Sequence, residues 1–202
     1  MKRITVVAAV FLVCMMVGSA YAAQDLTGKH ALGIATGMIF TQDECIGNSW
    51  YAGGNYTYNI DNNFAVGAEV GYMRWNDEAG GIDYGDVRAV PLLADFYLRY
   101  PIDVSKQMFL PYAVGGIGVI FWNYDENSVL KDAGISIDMG TELGIKGGVG
   151  FDYFFTEKVA FNLEGSYVWS NADMTVSYGG ATATNEFDTD YWALTGGMKY
   201  YF

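Results

Sequence analysis

Cysteine, histidine and proline are nearly missing from this sequence, and each shortage removes a class of function. There are two cysteines among 202 residues. Cys14 lies inside an apolar run near the start, which leaves Cys45 as a lone loop thiol and excludes a disulfide framework. Val13 is not a small residue, so Cys14 is not read as a lipid-attachment site. One histidine, His30, is too few for a His and Cys metal centre. No calcium-loop pattern of the EF-hand kind is present either, so no metal and no cofactor is expected. Basic side chains are also scarce, with 11 Lys and Arg against 23 Asp and Glu. A chain this acidic does not bind nucleic acid through its phosphates. Beyond the first 22 residues no apolar stretch is long enough for a transmembrane helix, which needs about 20 residues.

The start of the chain is different in kind. Lys2 and Arg3 precede an apolar run from Ile4 to Val17, and Ala20-Tyr21-Ala22 supplies a small-x-small cleavage pattern. Residues 1–22 are therefore read as a secretory signal, cleaved before Ala23, and residues 23–202 as the working domain. Cleavage removes two cations, leaving nine basic against 23 acidic residues, a formal charge of −14.

From Lys29 onward the apolar period is two rather than 3.6. Leu32, Ile34, Met38 and Phe40 alternate with Ala31, Gly33, Ala35 and Gly37. Phe64, Val66, Ala68, Val70 and Tyr72 alternate with Gly67, Glu69 and Gly71. Similar runs cover Ser49–Ile60, Val87–Tyr100, Met139–Tyr153, Val159–Ser170 and Thr189–Phe202, while Phe109–Trp122 is glycine-rich and its facing is ambiguous. One face is greasy and the other small or charged, the mark of a sheet with two unlike sides. Because ions and glycine occupy one face, the greasy face points outward. That orientation opposes a soluble lipocalin-like carrier, which buries its large residues inside. The pattern predicts an all-β fold: an eight-stranded antiparallel up-and-down transmembrane β-barrel. Most of its strands reach the roughly 9–11 residues a tilted strand needs to cross a bilayer.

The connections alternate too. Asp61–Asn63, Pro101–Met108 and Phe154–Lys158 are short or moderate. Thr41–Asn48, Arg74–Asp86, Asn123–Asp138 and Asn171–Asp188 are mostly longer and rich in Asp, Asn and Gly. This asymmetry belongs to outer-membrane barrels, with long loops outside and short turns on the periplasmic side. Trp50, Trp75, Trp122, Trp169 and Trp192 all fall at the long-loop end and are expected to form an aromatic girdle, with Tyr58, Phe64, Tyr200 and Phe202 among the rings at the other end. The acidic loops could take hard divalent cations, but without fixed ligand spacing they read as solvated surface.

The chain ends on Phe202, with Tyr200, Met198 and Leu194 at alternate positions before it. This ending resembles the C-terminal aromatic signature that the outer-membrane assembly machinery recognises, with Tyr200 and Phe202 as its residues here. Together with Leu110-Pro111-Tyr112-Ala113-Val114-Gly115-Gly116, it makes the chain similar to the OmpA/OmpX-type β-barrel superfamily, the porin-family or outer-membrane-protein β-barrel-domain proteins. The resemblance covers nearly all of residues 23–202. It implies a monomer in the Gram-negative outer membrane, in contact with lipids and lipopolysaccharide.

The inward faces hold Glu69, Asp95, Arg99, Glu142, Lys146, Glu164 and Lys199. A barrel this narrow is filled by side chains, so these ions are expected to form an internal charge network, with individual pairs left open. The alternative is a narrow channel for small or hydrophobic solutes. Enzymatic activity is not expected: His30 falls at the periplasmic start of the first strand, where no nucleophile and base can be drawn together. The function expected is structural and surface-interacting, in envelope integrity and the display of loops.

Overall fold

The computed structural model describes residues 25–41, 47–79, 82–104, 107–126, 135–178 and 181–202. The signal segment, residues 1–22, lies outside them, as do Asp43, Glu44 and Cys45 of the first long loop. Twelve strands follow one another: β1 His30–Thr41, β2 Asn48–Asn59, β3 Phe64–Ala79, β4 Ile82–Arg99, β5 Ile102–Val104, β6 Gln107–Glu126, β7 Ile135–Met139, β8 Thr141–Phe154, β9 Val159–Trp169, β10 Asn171–Tyr178, β11 Ala181–Asp188 and β12 Tyr191–Tyr201. Eight of them form the wall, in the order β4-β3-β2-β1-β12-β9-β8-β6, and β6 pairs back to β4. Every pairing is antiparallel. The sheet is thus a closed eight-stranded barrel, and closure leaves no edge in the hydrocarbon layer where backbone groups would lack partners.

Facing follows the alternation. Leu32, Ile34, Met38, Val66, Val70, Leu92, Phe96, Leu143, Ile145, Leu194 and Met198 are exposed on the outside, a surface that only lipid can cover. The inward partners are small, polar or aromatic, and they fill the lumen.

The turns have plain local causes. Asp61 Oδ1 accepts the N–H groups of Asn63 and Phe64, both at 2.7 Å, which closes the β2–β3 hairpin. Thr156 Oγ1 does the same for Lys158 and Val159 between β8 and β9. The predicted connection Pro101–Met108 contains a small hairpin of its own, with β5 paired to the start of β6.

Three of the predicted long loops contain strand. The β3–β4 ladder continues to Ala79 and Ile82, and β7, β10 and β11 make a second sheet in the order β11-β10-β7. Their Asp, Asn and Gly content suggested loops, although Ile135, Ile137 and Met139 of β7 alternate with polar residues and pair with Tyr178, Val176 and Met174 of β10. Gly140 ties this sheet to the wall, donating to the Asp173 carbonyl and accepting from Trp122 N–H. Ser170 and Thr189 hold its other root, hydroxyl to hydroxyl at 2.7 Å, with Asp190 accepting the Ser170 N–H at 2.8 Å.

Candidate functional site

Among the described residues, chemistry-bearing side chains converge in the interior, which is stacked in three layers. The periplasmic layer is apolar. Leu26, Ala31, Met108, Leu110, Phe154, Ala160 and Tyr201 pack together. Leu26 precedes the first strand but is fully buried. A tight turn puts it there: Lys29 N–H bonds the Leu26 carbonyl, Gly28 N–H bonds the Asn59 carbonyl, and Leu26 N–H bonds Asn62 Oδ1 at 2.7 Å. Gly28 has φ +74°, a left-handed conformation that favours glycine. The Thr27 hydroxyl and N–H hold the exposed Asp25 carboxyl below the usual carboxylate range.

The middle layer is charged. Lys146 of β8 extends its ammonium to Glu69 Oε2 at 2.7 Å, Asp95 Oδ2 at 2.8 Å and Glu164 Oε1 at 3.5 Å, from strands β3, β4 and β9. Tyrosines complete the carboxylates: Tyr51 donates to Glu69 at 2.8 Å, Tyr97 to Asp95 at 3.2 Å and Tyr112 to Glu164 at 3.1 Å. Glycines make room for those rings. A Cβ on Gly53 or Gly71 would run into the Tyr51 ring, and one on Gly150 into Tyr112. Just below, Lys199 pairs with Asp152 at 3.1 Å, and Asp152 also accepts from Asn162 and Tyr201, both at 2.6 Å. Lys199 lies 5.1 Å from the centre of the Tyr112 ring, a cation–π contact. Taking these ions out of water is costly unless each charge is paired and its remaining lone pairs are satisfied; the tyrosines and Asn162 satisfy most of them, and Asp95 Oδ1 has no partner among the described residues.

The upper layer is again apolar. Ile39, Tyr51, Met73, Trp75, Val87, Ala89, Ile120, Trp122, Val168, Tyr191 and Ala193 form one cluster. Trp75 and Trp122 stack with ring centres 5.8 Å apart.

The sequence-predicted residues therefore separate. Glu69, Asp95, Lys146 and Glu164 meet at one ammonium, and Lys199 joins Asp152 instead. Arg99 bonds Asn59 and stands 5.3 Å from the Tyr97 ring, and among the described residues no carboxylate pairs with it. Glu142 stays apart, accepting the Asp173 N–H at 3.4 Å. The reason is height. Arg99 lies four residues below Asp95, and Glu142 four residues above Lys146, each roughly 13 Å along its strand. Asp152 and Asn162, with Tyr51, Tyr97, Tyr112 and Tyr201, belong to the network without having been counted in it, although all sit at inward positions of their strands.

The girdle also needs correction. Trp50, Trp169 and Trp192 point outward and are about half exposed, but Trp75 and Trp122 are buried, at 3% and 6% exposure. Trp75 has the parity of Glu69 and Met73, so it must point inward with them. On β6 the same parity joins Trp122 to Tyr112 and Ile120. At the opposite end Tyr58, Phe64, Tyr200 and Phe202 are exposed. His30 sits among these rings, its Nδ1 2.5 Å from the Tyr56 hydroxyl and its ring stacked 5.8 Å from Phe202.

The model of the outer membrane protein β-barrel domain matches residues 5–202. Among solved structures, the chain is similar to the outer membrane protein OprG from Pseudomonas aeruginosa, at 17% identity and TM-score 0.71, covering 87% of this chain and 96% of that one. It is similar to Outer Membrane Protein W of E. coli at 21% identity and TM-score 0.57, covering 87% and 98%. Neisserial surface protein A matches at 14% identity and TM-score 0.58, covering 86% and 97%. No curated protein matches the chain. The structural matches speak for the fold.

Proposed function

Because the chain belongs to the outer membrane protein β-barrel domain family, we propose that it serves the Gram-negative outer membrane as a closed structural wall that displays interaction surfaces outside the cell, and not as a channel. It is an outer-membrane β-barrel seated in lipid. The observation that carries the functional reading is the filled lumen. Leu26 and its neighbours cross the bore at the periplasmic end, the Lys146 cluster crosses the middle, and the Trp75–Trp122 stack crosses the top. Beside Glu69 and Glu164 there is a cavity of only about 10 Å³, the scale of a single water. The interior ions act as a cross-brace between β3, β4, β8 and β9.

The outer rings of Trp50, Trp169 and Trp192 suit the lipopolysaccharide interface. Tyr200 and Phe202 serve as the residues read by the assembly machinery, and residues 1–22 as the export signal that precedes it. The barrel needs no cofactor and performs no catalysis: His30, the single histidine, lies among aromatic rings on the outer face at the periplasmic end, away from the polar layer.

Planar-bilayer recording of the refolded protein tests the reading. The expected result is a silent bilayer. Reproducible conductance steps would replace the structural reading with the narrow channel. A deletion strain is expected to show weakened envelope integrity, read as increased sensitivity to detergent.

A further inference from the structure

The second sheet has a flank that the barrel does not use. β11 pairs with β10 along its whole length, from Asn171 opposite Asp188 to Tyr178 opposite Ala181, with no break in register. Among the described residues, no strand pairs with the other edge of β11. Thr182, Ala183 and Thr184 are exposed. Sheets usually guard such an edge with lysine, proline or a bulge, because a row of free N–H and C=O groups templates another strand. β11 reads Ala-Thr-Ala-Thr-Asn-Glu-Phe-Asp, so over 181–185 it has no charge, proline or bulge, and its charges fall only at Glu186 and Asp188. Its β-branched threonines also favour the extended state.

Charge decides what fits. β7, β10 and β11 together carry Asp138, Asp173, Glu186 and Asp188 and no Lys, Arg or His. The nearby cations Arg74 and Arg88 are already paired, with Asp86 at 2.6 Å and Asp125 at 2.5 Å. A second copy of β11 laid on this edge would bring like charges together. A cationic extended chain would meet, among the described residues, an unpaired strand edge on a sheet whose formal charges are all negative.

We propose that the free edge of β11 is a docking site for an extended basic peptide segment of another protein, which joins the extracellular sheet as an added strand. This rests on the surface-interaction reading above and gives it a place and a partner chemistry. Main-chain hydrogen bonds would supply the binding and charge the selectivity.

The test uses the full protein refolded into zwitterionic phosphatidylcholine vesicles. The probe is a peptide alternating lysine with valine and matched to the eight residues of β11. Binding is expected to slow amide exchange over 181–188. The same peptide with alternate backbone nitrogens methylated keeps its charge but loses its donors, and should bind about tenfold or more weakly, a difference of roughly 1.4 kcal/mol. Joint Thr182→Lys and Thr184→Lys substitution should weaken binding to a similar degree, while Thr182→Val with Thr184→Val should not. A glutamate-valine peptide should not bind.

Equal affinity of the methylated peptide would reduce the effect to diffuse electrostatics and overturn the proposal. So would protection that falls elsewhere in the chain, or dimers that protect 181–188 without any peptide. Failure here with silent bilayers leaves the closed-wall reading in place, whereas conductance steps would strike that reading alone.

Discussion

Lys146 meets more carboxylate than one ammonium neutralises: Glu69, Asp95 and Glu164 all reach it, and each of the three also takes a tyrosine hydroxyl. Replacing Lys146 by Met would leave three anions facing one another in a poorly hydrated bore. Breaking a buried pair typically costs about 3–5 kcal/mol, so Lys146→Met is expected to lower stability by at least that, measured by urea unfolding in lipid vesicles. Arg74→Ala removes an exposed pair and should change stability by only about 0–1 kcal/mol. If Lys146→Met unfolds like the parent and gains conductance, the brace is not structural. At this scale the sequence is informative about direction and poor about height. Strand parity places Glu69, Asp95, Lys146, Glu164 and Lys199 inside, but the stagger between neighbouring strands decides which of them meet. Arg99 and Glu142 have the right parity at the wrong height. Trp75 and Trp122 illustrate the reverse error, since their height is right for a girdle and their parity is wrong. On β6 even parity was hard to read, because Gly115, Gly116, Ile117 and Gly118 leave no contrast between the faces.

The strands themselves are the most legible elements wherever lipid covers one side, because an apolar outer face and a small or polar inner face impose a clean period of two. Val70 is outward and half exposed near mid-height of β3, six residues from Phe64 at the periplasmic end. An arginine at mid-bilayer costs about 2–4 kcal/mol and near the interface about 0–1 kcal/mol. Val70→Arg should therefore reduce refolding stability far more than Phe64→Arg, and equal losses in lipid vesicles would mean that the outer face is misplaced. The seam between β1 and β12 is the other element with a sharp expectation. Phe202 exchanges both backbone bonds with His30, at 2.8 and 2.9 Å, and its ring stacks on the imidazole. Deleting Phe202 removes all three contacts together with the end of the aromatic signature. The expected result is less heat-modifiable barrel in outer-membrane fractions and more periplasmic fragments; unchanged levels would show that the seam tolerates its loss. Above the membrane the reading fails for a physical reason. β10 alternates Met174, Val176 and Tyr178 with polar residues over only eight positions, and among Asp, Asn and Thr so short a period reads as a loop even though the ladder is regular.

The molecule as a whole was foreseen in outline, as eight antiparallel strands around a filled bore, because closure is the only way an all-β chain satisfies its backbone in lipid. The N-terminal turn was not foreseen, since no local signal tells that Leu26 folds beneath the barrel. Its removal is a test of the whole assembly. Burying a leucine completely and then truncating it costs about 2–5 kcal/mol, so Leu26→Ala is expected to shift urea unfolding by that amount although the residue belongs to no strand. Unfolding like the parent would show that the turn lies loosely against the mouth. The pairing of β1 with β12 carries a further consequence, one of timing. The first strand waits for the last, so no early portion of the chain finishes itself as it emerges. Contacts between residues so far apart in sequence form slowly, and until they form the sheet exposes both a greasy face and two open edges, the ingredients of aggregation. Such a chain commits to its shape in one late event, when its two ends find each other.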